Sequence, residues 1–346
     1  MTRTAAILGW DIGGVNTKAA RLAAGPGTPV SRSVCLPYEL QRSPSSLGST
    51  LRSAAQRLGA DPADRHAVTM TAELSQAFRT KREGVGFILD ALETTFPGDR
   101  LHVYTVDGRF VSPRAARLQP LDAAASNWAA TANWVARLVP TCLLIDVGTT
   151  TTDLIPIVSG KVAAQGRTDP ERLRSGELVY TGALRTPVEA IARRVPLRGE
   201  ATGLASEGFA LMGDVYLWSG RLKEEDYTCP TPDGRPATRA YAGERLARAV
   251  CADRDLLDPA AIDEMAAGIT HAQLETIVEG LEVIRRRCPA IETAVVTGLG
   301  DFIAVAAAQA AGLTVIHLAD KVNGAAQTAP AMAVAWLLHE TLEAKK

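Results

Sequence analysis

The feature that most limits what this chain can fold into is a segment that occurs twice. Laying Gly9–Lys18 over Leu144–Asp153, an offset of 135 residues, pairs Asp11 with Asp146, Gly13 with Gly148, Asn16 with Thr151 and Thr17 with Thr152. Each copy follows an apolar, strand-like run (Ala5–Trp10 and Thr141–Val147) and leads into another (Thr17–Leu22 and Thr152–Val158). Two copies of one strand–loop–strand unit predict two like domains facing a shared cleft. A length of 346 residues leaves room for two domains of ordinary size.

The surrounding pattern fits an α/β layer architecture. Val30–Pro37, Ala67–Thr71 and Leu101–Val106 read as strands. Pro44–Leu58, with Ser45 and Ser46 as caps, and Gly84–Thr95 have helical apolar spacing. Leu121–Leu138 is rich in alanine and free of Gly and Pro, which predicts one helix closed off by Pro140. After the second copy come a third strand at Lys161–Gln165, then a strand–helix–strand pattern at Ala294–Thr297, Ile303–Ala311 and Thr314–Leu318. Thr328–Leu342 reads as a terminal helix that tolerates Pro330 in its first turn. Pro196–Pro259 is rich in Gly, Pro and charge; it reads as an insertion or cap with ordered parts at Gly208–Trp218 and Ala242–Ala252. The expected domains are therefore 1–140, with 328–346 packing back on it, and 141–327, with the insertion at about 196–259.

Composition excludes several classes. Lys and Arg number 37 against 38 Asp and Glu, so nothing favours a nucleic acid or an anionic membrane as partner. The longest unbroken apolar run, Ala331–Leu338, is far shorter than the roughly 18 residues that span a bilayer. The N-terminus reaches Asp11 too soon for a signal peptide, so a cytoplasmic location is expected. Five scattered cysteines and five scattered histidines suggest neither a disulfide framework, a zinc site nor a triad. A small-molecule enzyme is the expectation, with a homo-oligomer left open.

The repeated loops carry the chemistry. In Asp11–Lys18, Gly13 and Gly14 let backbone N–H groups approach a phosphate, and Asn16 and Thr17 add side-chain donors. The second copy offers Gly148, the hydroxyls of Thr149, Thr150, Thr151 and Thr152, and a further carboxylate, Asp153. Asp11 and Asp146 cannot hold a phosphate directly but suit Mg²⁺. A third turn, with Gly298 and Gly300, ends a strand and opens a helix, a geometry suited to an anion or nucleotide.

These loops resemble the actin/hexokinase/Hsp70 (ASKHA) fold, in which two RNase H-like domains close on a phosphate. Asp11–Lys18, Thr69–Leu74, Lys81–Val85 and the tetra-threonine loop resemble the hydantoinase A/oxoprolinase branch of it. Within that branch, Glu177–Pro187 and Ala125–Trp128 are most similar to a small family linked to tetrahydromethanopterin-dependent one-carbon transfer in methanogens and methylotrophs. The resemblance covers about residues 5–340. It implies a transferase of methanofuran biosynthesis that joins (5-aminomethyl-3-furyl)methyl diphosphate to the phenol of γ-glutamyltyramine, or of a similar tyramine, and releases diphosphate.

On that implication Mg²⁺ at Asp11 and Asp146, and Lys18 beside them, would neutralise the leaving group. Asp153, Glu73 and Asp107 are the candidate bases for the phenol, the first two favoured because their segments match the family. Asn127 and Trp128 are candidates to orient or stack on an aromatic substrate, and Tyr180, Thr181 and Arg185 to reach its glutamyl end. The alternative is an ATP-dependent kinase or oxoprolinase/hydantoinase-like enzyme. It would need an adenine pocket near Thr297–Phe302, where Leu299 separates the two glycines. A third reading, a scaffold or sensor that kept the fold, is disfavoured by intact carboxylates in both loops.

Overall fold

The computed structural model describes residues 6–23, 30–322 and 328–344; Ala5, the first residue of the expected opening strand, and the last two residues of the expected 328–346 segment lie outside them. The chain forms two compact units. One comprises residues 1–141, 157–169 and 318–346, the other 142–156 and 170–317.

The first unit opens with β1 (Ile7–Ile12), β2 (Asn16–Ala23) and β3 (Val30–Pro37), followed by α1 (Leu47–Arg57), β4 (Arg65–Met70) and α2 (Lys81–Thr95). Then come β5 (Leu101–Tyr104), β6 (Phe110–Val111), α3 (Pro113–Leu118), α4 (Pro120–Ala123) and α5 (Asn127–Leu138). The strands make one sheet in the order β3-β2-β1-β4-β5-β6. β1 runs antiparallel to β2 and parallel to β4.

Every residue of β1 is buried, as expected of a strand covered on both faces. Leu8, Trp10 and Ile12 alternate into a core with Leu47 and Leu51 of α1 and Val85, Ile88 and Leu89 of α2. Gly9 points the other way and is the point of closest approach of the last helix: a Cβ there would lie 1.8 Å from the Ala331 carbonyl oxygen.

The second unit starts with β7 (Cys142–Val147) and β8 (Thr152–Val158), and β9 (Lys161–Val162) pairs with the end of β8. After α6 (Asp169–Ser175) and β10 (Leu178–Val179) come α7 (Val188–Ile191) and a hairpin of β11 (Arg194–Leu197) and β12 (Glu200–Gly203). α8 (Met212–Trp218), α9 (Arg239–Arg248) and the 29-residue α10 (Pro259–Arg287) follow. β13 (Thr293–Thr297), α11 (Asp301–Ala310) and β14 (Thr314–His317) complete the unit. The sheet order is β10-β8-β7-β13-β14, with β13 parallel to both β7 and β14. The chain then returns to the first unit with α12 (Leu318–Lys321) and α13 (Ala329–Glu343).

The two sheets repeat one plan. The strand carrying the aspartate, β1 or β7, lies between its hairpin partner and a parallel strand, β4 or β13.

Three local expectations change. The expected helix over Leu121–Leu138 is two, α4 and α5, because Ala125 adopts a left-handed backbone (φ 49°) between them. The expected strand at Lys161–Gln165 is only the two residues of β9. Ser46 precedes α1, but its side chain makes no capping bond. The stretch read as an insertion with ordered parts contains β12, α8 and α9, and its first residues belong to β11; it is tied inside by an ion pair of Arg245 with Asp214 that is wholly buried.

Gly9→Ala is expected to lower stability by about 3 kcal/mol, since backbone rather than a movable side chain occupies the space. A denaturant titration of the variant measures it.

Candidate active site

The duplicated loop reappears as a duplicated hydrogen bond. In the first unit the Gly13 N–H donates to the Asn16 carbonyl at 3.0 Å; in the second the Gly148 N–H donates to the Thr151 carbonyl at 2.9 Å. Asp11 is buried at the end of β1 and faces Lys18 across the β1–β2 ladder, with Asp11 Oδ2 3.5 Å from Lys18 Nζ. Beside it, Asn16 Oδ1 and Thr17 Oγ1 are buried without a hydrogen-bond partner among the described residues. Buried polar atoms seldom stay unpaired, so these two are candidates for contact with a polar ligand.

Glu73 follows β4 in a 3-10 turn (Ala72–Leu74) and is 1% exposed. Its Oε2 has no hydrogen-bond partner among the described residues. Burial pushes its pKa up to about 7, against smaller opposing effects of Lys81 and of the backbone N–H groups of Glu73 and Ala125. Lys81 is the first residue of α2, held there by the Thr80 cap, whose Oγ1 accepts the Glu83 N–H. Its Nζ lies 2.6 Å from Asp169 Oδ2 and 3.8 Å from Glu73 Oε1. Nearby, Ser126 Oγ and Thr69 Oγ1 share a buried hydrogen bond of 2.7 Å, tying the start of α5 to β4.

In the second unit a strap, residues 181–186, is laid on the threonine loop. Ala183 N–H donates to Gly148 O, and Leu184 and Arg185 N–H both donate to Thr149 O. Gly182 is required here, because a Cβ would sit 2.6 Å from Thr150 N and 2.7 Å from Gly148 O. The strap is held from behind by Gln273 of α10, whose Nε2 donates to Thr181 Oγ1 at 2.7 Å and to Gly182 O at 2.9 Å. Thr152 Oγ1 donates to Thr181 O, closing the network. Gly298 (φ 99°) lies against Asp146: a Cβ would stand 2.5 Å from Asp146 Oδ1. Gly300 N–H donates to Val147 O.

The family described as Hydantoinase/oxoprolinase matches residues 64–341. The chain belongs to the hydantoinase/oxoprolinase family. It is 38% identical over 298 residues to the (4-{4-[2-(gamma-L-glutamylamino)ethyl]phenoxymethyl}furan-2-yl)methanamine synthase of Methanocaldococcus jannaschii, covering 86% of this chain and 87% of that protein. With the synthase of the same name from Methanococcus vannielii it shares 36% identity over 162 residues, 47% of this chain and 72% of that one. Among solved structures, a nucleotide-free acetone carboxylase aligns with TM-score 0.57 at 12% identity, covering 95% of this chain and 70% of that one. That likeness bears on the fold alone. The fold is the expected α/β type with two RNase H-like units, and the resemblance read from the loops holds at the level of the family.

Not every residue singled out in this hydantoinase/oxoprolinase chain is placed to meet a ligand. Asp153 is bound by the buried Arg172, whose Nη2 donates to Asp153 Oδ1 at 2.7 Å and to Glu177 O at 3.1 Å. Asp107 pairs with Arg109 and Thr105 within its own turn. Trp128 is buried in α5, and Thr181 is committed to the strap. Tyr180 and Arg185 have exposed side chains, and Asn127 is half-buried.

Lys81, Asp169, Gly84 and Gln273 were not singled out from sequence as site residues. The Thr80-Lys81-Arg82-Glu83 capping signature carried a signal for Lys81, because it fixes the start of α2 eight residues beyond Glu73. Gln273, in mid-helix, carried none.

Two outcomes follow from this geometry. Between pH 4.5 and about 7 the unfolded chain has released the Glu73 proton while the folded chain still holds it, so stability falls as pH rises through that window and levels off above it. Glu73→Gln should flatten this slope in melts recorded across the window. Asp153→Asn should cost about 3 kcal/mol by denaturant titration, because it removes the carboxylate opposite a buried guanidinium.

Proposed function

We propose that this protein is a transferase that forms an aryl ether between a furylmethyl group and the phenol of γ-glutamyltyramine or a close analogue, releasing diphosphate. The observation that carries the reading is the near full-length match to a synthase whose name describes a phenoxymethyl-furan ether. Disconnecting that ether gives a phenol and a furylmethyl carbon bearing a leaving group. The phenolic oxygen attacks the methylene carbon as the bond to the diphosphate oxygen breaks. The phenolic proton passes to a base, and diphosphate leaves with the electron pair.

A phenol with a pKa of about 10 needs a nearby base, and general bases work best when poised near neutrality. Glu73 meets that requirement and has an oxygen free to accept a proton. Asp153 is occupied by Arg172, so Glu73 is the base we assign.

For the leaving group, the first-unit loop supplies the backbone N–H of Gly14, the side chains of Asn16 and Thr17, and the charge of Lys18; the Gly13 N–H is already given to the Asn16 carbonyl. The second-unit loop supplies the hydroxyls of Thr149, Thr150 and Thr151; that of Thr152 is already given to Thr181 O. Asp11 and Asp146 would hold Mg²⁺, which neutralises charge building on a departing diphosphate. Among the described residues no cluster of three or more His, Cys, Asp or Glu could hold a metal. Single carboxylates with hard oxygen donors still fit Mg²⁺, which commonly binds through one or two carboxylates, waters and substrate phosphates. Tyr180, Arg185 and Asn127 are assigned to the substrate. A guanidinium such as that of Arg185 suits a glutamyl carboxylate.

Among the described residues no helix is long and apolar enough to cross a membrane.

Calorimetric titration with Mg²⁺–diphosphate and with Mg²⁺–ATP tests the reading. Diphosphate is expected to bind at least as tightly as ATP; a clear preference for ATP would overturn the reading in favour of a phosphotransferase. In the coupling assay, Glu73→Gln is expected to lower kcat by about 10²–10⁴ with little change in KM for the diphosphate substrate.

A further inference from the structure

We propose that Lys81 and Asp169 are positioning residues that govern the protonation of Glu73 by dividing one ammonium between two carboxylates. This rests on the reading of Glu73 as the proton acceptor. The two residues lie 88 positions apart in sequence, and neither belongs to the repeated loops.

The geometry is a competition with a built-in winner. Lys81 Nζ stands in contact with Asp169 at 2.6 Å, and its distance of 3.8 Å from Glu73 Oε1 is too long for a hydrogen bond. Glu73 therefore has a cation near enough to act through space but not bound to it. Full pairing would keep the carboxylate ionised and make it a poor proton acceptor. With no cation nearby, a carboxylate this deeply buried would stay protonated well above neutral pH. The observed arrangement lies between those extremes.

The backbone fixes the spacing. Gly84, in the first turn of α2, is pressed on the Glu73 backbone so closely that a Cβ would lie 2.3 Å from Glu73 O and 2.7 Å from its Cα. The base of the Lys81 side chain is thus held at a set distance from Glu73, and Glu83 Oε2, accepting the Arg79 N–H at 2.8 Å, secures the same turn. The charged groups acting on the carboxylate are Lys81 from α2 and Asp169 from the start of α6; the backbone N–H groups of Glu73 and Ala125 complete its surroundings. The Lys81–Asp169 pair is only about one-fifth exposed, so its charges are weakly screened by solvent and act on Glu73.

The two partners act in opposite senses. Asp169→Asn releases Lys81 to close on Glu73, and the acid limb of the kcat/KM profile should move to lower pH by about one unit. Lys81→Met removes the cation, and the limb should move to higher pH by a similar amount. Lys81→Arg should stay near wild type. The same shifts are read without turnover by following the Glu73 carboxyl carbon in ¹³C-glutamate-labelled protein by NMR, the resonance being identified by its loss in Glu73→Gln.

Opposite shifts in both experiments support the proposal. Unchanged midpoints, or shifts of one sign, in folded variants overturn it. If Glu73→Gln keeps full activity, the assignment of Glu73 as base fails, while the NMR titrations still decide whether Lys81 and Asp169 set its protonation.

Discussion

Placing the Glu73 carboxyl group out of water is the costly act in the first unit, and much of the structure around it reads as accommodation. The carboxylate cannot be given a full counter-ion without losing its ability to take a proton, nor be left with none without staying protonated. A lysine held mainly by another acid lies between these limits. That compromise needs a helix start at a fixed distance, and hence the glycine that lets α2 rest directly on the Glu73 backbone. The Ala125 N–H, at the break between α4 and α5, adds a smaller stabilisation of the charged form.

The second unit solves a different problem. A run of threonines has no strong conformational preference for a tight loop, so its shape is imposed from outside. The strap on Gly182 supplies three backbone hydrogen bonds to the loop, and Gln273 holds the strap in turn. Buried polar networks of this kind are stable only when every member is satisfied, and the chain of Tyr216, Gln273, Thr181 and Thr186 largely meets that condition. Arg172 and Glu177 brace the start of β8 in the same manner, which is why Asp153 belongs to the framework.

Much of this was legible in the residues. The repeat announces itself in D-x-G spacing because a tight turn after a strand tolerates few alternatives, and the two sheets and most strands follow from it. The charge partners were less accessible. Asp153 looks like a second active carboxylate in one dimension, and only the fold reveals a guanidinium 19 residues on closing over it. Asp169 reaches Lys81 across 88 residues, a pairing no local pattern encodes. The break at Ala125 escaped because alanine is the strongest helix former, and tertiary contacts override that preference.

The seating of α13 on β1 also has a bearing on how the molecule is made. β1 precedes the segments of the second unit in the chain and the helix that covers it follows them, so the contact between Gly9 and Ala331 spans 322 positions. The first unit is therefore begun before the second and closed after it. Until α13 is made, the face of β1 at Gly9 lacks its cover, although the segments of the second unit have already emerged. An apolar strand left open in this way invites wrong pairing, and that exposure ends only when the helix docks.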